Sequence, residues 1–426
     1  MLPRLLLPLL ILAGGTEAKP PNIVIIMADD MGWGDVGFHG GNVPTPHLDR
    51  LAAEGTELER FYVFPSCSPT RAAVLTGLLP HRMGIAAPVR RLDLGLPVET
   101  PLLPQVLQAH GYHTAMIGKW HLSHEDSTEQ KPHHRGFDAF YGSYQTGIDY
   151  FSHLGPRETK DWWRNDEIAH EEGYITHLQA DEGVKLIQET KDQPLFLFFA
   201  PHAPHAPIQA PAKTIAKFAH LQGPNAPAYA AMIAEFDVAV GRLLEAVEES
   251  EQADNTIVIF FSDNGGLRFA DVGDFRGRKN TLYEGGIRAP FVVKWAGTTT
   301  PGARTAQLSS AMDLMPTLLS AAGVTPDNQP TSDGIDLRDA LNGNASLDRA
   351  PLVMGNHQYV LITPEWKLIG HGSDAELYNL IEDPTESTDL ASREVTVTSQ
   401  LKDLLKNRTK GLPEFEERQQ NRRRQN

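Results

Sequence analysis

Four short apolar runs punctuate the chain: NIVIIM (22–27), TAMI (114–117), PLFLFF (194–199) and TIVIFF (256–261). None alternates with polar residues, and continuous runs of this length suit strands covered on both faces. After the third run comes AYAAMIAEFDVAVGRLLEAVEE (228–249), where Met232, Phe236, Val240, Leu243 and Val247 recur at helical spacing. That spacing predicts a helix, and strands alternating with helices predict an α/β fold on a largely parallel sheet. WKLIGHG (366–372) and ELYNL (376–380) read as antiparallel strands of a smaller C-terminal subdomain. On this reading a large domain spans 19–345, the subdomain 346–412, and a charged tail 413–426, whose composition predicts disorder. There are no internal repeats.

Each run ends in residues that carry charge or can bind a metal. Asp29 and Asp30 come after the first, Lys119 and His121 after the second, His202 and His205 after the third, Asp263 and Asn264 after the fourth. Ligand sites of open α/β sheets lie beyond the carboxyl ends of the strands. One polar pair there is an ordinary turn; four converge on a site. Asp29, Asp30, Asp263 and Asn264 offer hard oxygen ligands, which favour calcium or magnesium over zinc. Lys119 and His121 point to one side of an extended backbone. Arg278, Lys279 and Arg288 surround Gly285-Gly286, where backbone approaches a ligand closely.

The first eighteen residues, MLPRLLLPLLILAGGTEA, carry Arg4 and then an apolar stretch from Leu5 to Ala13 broken only by Pro8. A bilayer span needs ~20 apolar residues. The segment 1–18 instead reads as a secretory signal peptide, so an exported protein, periplasmic or extracellular and without a membrane anchor, is expected. The net charge of −16, from 38 basic and 54 acidic residues, argues against nucleic acid or an anionic membrane as partner. A small anion remains compatible, since charges beyond ~10 Å are screened at physiological salt.

Export makes the single cysteine, Cys67, informative. No intrachain disulfide exists, so Cys67 is either a small buried hydrophobe or a reagent. A helix is predicted to begin near Pro69, which places Cys67 just before a helix N-terminus, a partially positive spot suited to anions. Arg71 adds a guanidinium fork that matches tetrahedral oxyanions.

CSPTRAAVLTG (67–77) resembles the signature of the type I sulfatases, in which the cysteine of C-x-P-x-R is converted to formylglycine. NIVIIMADDMGWGDVG, IGKWHL, HHRGFDAFYG, APHAPIQAP, FSDNGG, RGRKNTLYEGGIRAP and ELYNLIEDPTE match further motifs, in family order, over nearly the whole chain. One departure is Leu78, where the family usually has a basic residue. The resemblance implies an alkaline-phosphatase-like α/β sandwich: a large, mostly parallel sheet flanked by helices, plus a C-terminal subdomain with a short antiparallel sheet. It implies that Asp29, Asp30, Asp263, Asn264 and the modified Cys67 hold one calcium ion. Arg71, Lys119, His121, His205 and Lys279 would surround the sulfate; His205 fits the family frame better than His202. The implied chemistry is a geminal diol, one hydroxyl attacking sulfur and the other later expelling sulfate. His205 or Lys279 would protonate the leaving oxygen, and His121 would serve as base.

AAPVRRLDLGLPVETPLLP (86–104), GFDAFYGSYQTGIDYFSH (136–153) and the RGRK frame (276–279) resemble the subgroup typified by N-acetylgalactosamine-4-sulfatase. The implied substrate is a sulfated sugar, galacto-configured with sulfate at O4. Arg90, Arg91, His133, His134, Trp162, Trp163 and Arg278 are then candidate sugar contacts. The implied partners are this saccharide and a formylglycine-generating maturation enzyme. Two other readings are a phosphonate or phosphodiester hydrolase of the same superfamily and a non-catalytic binder of sulfated glycans.

Overall fold

The structure is a computed structural model that describes residues 19–343, 346–371 and 374–412. The expected signal segment (1–18) and charged tail (413–426) lie outside the described residues.

Ten strands form the main sheet: β1 (Asn22–Ala28), β2 (Thr56–Leu58), β3 (His113–Lys119), β4 (Ala139–Ser143), β5 (Trp163–Arg164), β6 (Glu167–Ile168), β7 (Leu195–Ala200), β8 (Thr256–Ser262), β9 (Phe291–Trp295) and β10 (Ala303–Thr305). Their spatial order is β10-β2-β9-β8-β1-β7-β3-β4-β5-β6. The four apolar runs are the adjacent central strands β8, β1, β7 and β3, all parallel. Antiparallel pairings attach β9 and β2 on one side and β5 and β6 on the other.

The absence of alternation in the runs has its expected cause. Ile23, Ile25, Phe196, Phe198, Ile257 and Ile259 enter one core, while Val24, Ile26, Leu197, Phe199, Val258 and Phe260 enter the other. Successive side chains of a strand face opposite ways, so both layers must be apolar. Each buried Phe or Ile contributes about 1.5–3 kcal/mol. The second core is closed by the predicted helix, observed as Ala226–Glu248; Met232, Phe236, Val240, Leu243 and Val247 all face it. The helices Cys67–Thr76 and Leu314–Ala321 close the first.

Beyond the main sheet lies a separate antiparallel one, β11 (Leu352–Gly355), β12 (Tyr359–Ile362), β13 (Trp366–His371) and β14 (Asp374–Asn379), paired in chain order. The two strands read from WKLIGHG and ELYNL are β13 and β14, with Leu368 opposite Leu377. Among the described residues, no helix is long and apolar enough to cross a membrane.

Two features of the sheet set up the site. β1 and β8 run in register to their ends, Ala28 opposite Ser262, so Asp29-Asp30 and Asp263-Asn264 leave side by side. Gly118, at φ 111°, lies so near β7 that a Cβ there would stand 2.0 Å from the Ala200 carbonyl oxygen. Only glycine permits that approach, which lets Lys119 and His121 turn inward.

Candidate active site

Backbone bonds fix the two acidic pairs. The Asp29 amide donates to the Ala203 carbonyl (3.1 Å) and the Asp263 amide to the Ala28 carbonyl (3.0 Å). The Asp30 amide donates to Asp263 Oδ1 at 3.2 Å. Asp30 (φ 75°) and His121 (φ 60°) adopt left-handed backbone conformations, which aspartate and histidine tolerate better than branched residues do and which cluster at functional sites.

The helix Cys67–Thr76 brings the thiol to these carboxylates. It begins two residues before the expected Pro69, with Ser66 as its N-cap, so Cys67 is its first helical residue and Pro69 lies inside the first turn. Proline fits there because amides of the first turn have no helical acceptor. Cys67 is 2 % exposed. Its Sγ lies 3.5 Å from Asp29 Oδ1 and 3.4 Å from the Lys279 amine.

One helical turn on, Arg71 is fully buried, and its Nε (3.2 Å) and Nη2 (2.9 Å) both donate to Asp263 Oδ2. Its Nη1 donates to the Lys119 carbonyl. The Lys119 amine pairs with Asp29 Oδ2 at 2.6 Å, and the Lys279 amine pairs with Asp30 Oδ1. His205 Nε2 stands 3.6 Å from Asp30 Oδ2. Three carboxylates and three cations therefore interleave around one thiol. Arg71 and Lys119 are sealed, whereas the Lys279 and His205 side chains keep 14 % and 18 % exposure and mark the open side.

Burial and neighbours set the charge states. Burial pushes the Cys67 thiol up to about 12, although Lys119 and Lys279 pull the other way. Burial alone raises the Asp29 carboxyl, but Lys119, His205 and Arg71 outweigh it and hold that carboxyl well below the usual range. Asp263 is pushed up to about 7 by burial and by the adjacent Asp29 charge. His121 and His205 are lowered by burial and by Lys119, so both rings are neutral near pH 7.

The cluster fits a hard cation. Ligand atoms of Asp29, Asp30, Cys67 and His205 lie within 4.8 Å of one another. Two further atoms carry more weight: Asp30 Oδ2 and Asn264 Oδ1 are buried and accept no hydrogen bond. Buried oxygens without a donor are costly unless something else fills them, and a cation that prefers oxygen does so.

The structure thus brings together Asp29, Asp30, Cys67, Arg71, Lys119, His205, Asp263, Asn264 and Lys279. His121 comes two residues after Lys119; it is buried, and its Nδ1 has no partner. His202 has a different setting, its Nε2 2.6 Å from Ser143 Oγ and its Nδ1 2.9 Å from Gln179 Nε2. The candidate sugar contacts differ in exposure and partners. Arg90 and His133 are exposed, Arg91 pairs with Glu125, and His134 pairs with Asp166 at 3.3 Å. Trp162 is buried edge-on against Tyr141, with ring centres 4.8 Å apart, which leaves it no open face for a sugar. Trp163 is partly covered by Tyr144 and the Lys131 amine, and Arg278 donates to the Ala270 carbonyl.

Two supporting residues carry no functional signal of their own in the sequence. Ser68 Oγ donates to the His121 carbonyl (2.7 Å) and accepts from the Val89 amide (2.9 Å), and the Tyr150 hydroxyl donates to the His205 carbonyl (2.9 Å). Ser68 occupies the open position of C-x-P-x-R, and only that spacing could have pointed to it.

Comparison with known proteins decides the lineage. A family model described as Sulfatase matches residues 21–324. The chain belongs to the sulfatase family. A second model, N-sulphoglucosamine sulphohydrolase, C-terminal, matches residues 274–411 of this sulfatase. Human N-acetylgalactosamine-6-sulfatase is 35 % identical over 366 residues, covering 78 % of this chain and 67 % of its own. Human arylsulfatase A is 37 % identical over 388 residues, covering 82 % and 73 %. The crystal structure of Ps i-CgsB in complex with k-i-k-neocarrahexaose superposes with a TM-score of 0.86 at 29 % identity, over 93 % of this chain and 94 % of that one. This sulfatase is accordingly a sulfuric ester hydrolase. None of these three relatives is named as a 4-sulfatase.

Proposed function

We propose that this sulfatase removes sulfate from a sulfated, galacto-configured carbohydrate, using Cys67 as formylglycine and one calcium ion. The observation that carries this is the buried Cys67 at a helix start, surrounded by three carboxylates, three cations and two buried oxygens without donors. The names of relatives, an N-acetylgalactosamine sulfatase and a neocarrahexaose complex, support a saccharide. The O4 position rests on the resemblance of 86–104, 136–153 and 276–279 to the N-acetylgalactosamine-4-sulfatase subgroup.

Asp29, Asp30, Asp263, Asn264 and residue 67 would hold the ion. When bound, it supplies a Lewis acid for oxygen, and formylglycine supplies a hydrate with two hydroxyls, one nucleophilic toward sulfur and one able to expel sulfate. The chain's own groups do the rest. Three carboxylates balance Arg71, Lys119 and Lys279, so a divalent ion leaves the pocket cationic and attractive to an anionic ester. Arg71 locks Asp263, and Lys119 locks Asp29. Lys279 and His205, on the open side, meet the sulfuryl group and the leaving oxygen. Lys279 stays protonated: burial works against its charge, but its ion pair with Asp30 and the nearby Asp29 carboxylate favour it, so it is the proton donor within reach. Neutral His121, with a free Nδ1, is suited to take a proton in the release step.

On this proposal the segment 1–18 is an export leader, and the catalytic domain gives way to the C-terminal subdomain at 345/346. The function is tested by sulfate release from O4- and O6-sulfated galactosamine disaccharides and algal galactan fragments, beside a nitrophenyl phosphonate. Sulfate release from one sugar class, lost in Cys67→Ala, is the expected result. Preferential phosphonate cleavage, or inertness toward every sugar, would refute it.

A further inference from the structure

The loop that carries Lys279 is held from the far side by the small C-terminal sheet. Lys367, on β13, is fully buried, with its amine 2.9 Å from Glu284 Oε1 and 2.7 Å from Glu386 Oε1. Both carboxylates are fully buried as well. Glu284 Oε2 accepts the Tyr62 hydroxyl (3.0 Å) and lies 3.3 Å from Arg288 Nη1. Glu386 Oε2 accepts the backbone amide of Glu284 at 2.6 Å. Two buried negative charges thus balance Lys367 and Arg288.

Glu284 opens the Gly285-Gly286 turn, and that turn is wedged between both halves of the site. The Gly285 amide donates to the Arg276 carbonyl (2.8 Å), and the Gly286 carbonyl accepts the Gly265 amide (3.0 Å) beside Asn264. A Cβ on Gly286 would stand 2.6 Å from the Arg278 carbonyl oxygen, immediately before Lys279. Arg276 adds a second clasp, lying 3.9 Å over the Tyr283 ring while its Nη1 donates to the Tyr378 hydroxyl (2.9 Å) on β14.

We propose that Lys367 is a positioning residue: through Glu284 and Glu386 it fixes the 276–288 turn and so holds the Lys279 amine against Asp30 and Cys67. This rests on the role proposed above for Lys279. Without Lys367, two buried carboxylates face each other with only Arg288 to balance them, and the turn must open to hydrate one. A displacement near 1 Å at a reacting group costs on the order of 100-fold in rate.

The test is a double-mutant cycle with nitrophenyl sulfate as substrate. Lys367→Met is expected to lower kcat on the order of 10- to 100-fold with KM little changed, and in a Lys279→Ala background to lower it less than about twofold. Glu386→Gln, which keeps shape and removes charge, runs in the same cycle in case Lys367→Met does not fold. Equal losses in both backgrounds, or an unchanged kcat, would overturn the positioning role. If Lys279→Ala alone left kcat intact, the function proposed for Lys279 would fall instead, so the two failures are distinguishable.

Discussion

The Lys279 amine stands 3.4 Å from Cys67 Sγ, although 212 residues separate the two along the chain. That contact closes the site, because it joins the loop held by the C-terminal sheet to the helix that starts at the thiol.

Cys67 should behave as an inert thiol wherever it is unmodified. It is 2 % exposed and burial pushes it up to about 12, so iodoacetamide should label it only in denaturant. In matured protein the tryptic peptide ending at Arg71 should be lighter by roughly 18 Da, the mass change from thiol to aldehyde. Cys67→Ala should lose turnover and keep its melting temperature within a few degrees, as a small side chain is removed. Rapid labelling of the folded chain would contradict the burial.

Calcium should stabilise the folded chain. At a concentration of 100 times Kd a bound ion adds about 2.7 kcal/mol, read as a rise in Tm that a chelator reverses. Asn264→Ala and Asp30→Asn each change one of the oxygens without a donor, and both should shrink the rise. An identical rise in both variants would place the ion elsewhere.

His202 and His205 should separate cleanly. His205→Ala is expected to lower kcat by about 100-fold or more, as loss of a hydrogen-bond donor facing the reacting oxygens does, with little change in Tm. His202 is bonded to Ser143 and Gln179 in the core, so His202→Ala should instead cost about 1–3 kcal/mol of stability for the partners left unpaired. Guanidinium unfolding beside steady-state kinetics distinguishes them; the reverse pattern would exchange their roles.

Asp35 should make stability fall as pH rises through the mildly acidic range. Its carboxyl is pushed up to about 6 by burial, which hydrogen bonds from Tyr229, Asp271 and Gly32 only partly offset. The folded state then binds the proton more tightly than the unfolded chain does. Its contribution is fully present below about 4 and is lost as pH passes about 6, a change of roughly 3 kcal/mol. The unfolding free energy of wild type minus Asp35→Asn, measured from pH 4 to 7, should fall across that window; a flat difference would contradict it.

Sequence and structure agree where chemistry has one dominant cause. The runs at 22–27, 114–117, 194–199 and 256–261 were legible because burial on two faces leaves no polar position. The cluster was legible because strand ends place Asp29, Lys119, His205 and Asp263 at one edge. The two-residue strands β5 and β6 carried no periodic pattern to read. Trp162 has the residue type of a sugar platform, but only packing reveals that its ring faces Tyr141. Lys367 was hidden for a related reason: within WKLIGHG it resembles a solvent-facing position, and Glu284 lies 83 residues away.

The matching ends of β1 and β8 make the central sheet a ruler for the acidic pairs. One residue inserted into either strand would slide one pair past the other by about 3.3 Å and turn its alternate side chains to the opposite layer. A length change tolerated in a surface loop would there dismantle the acidic cluster and both cores together.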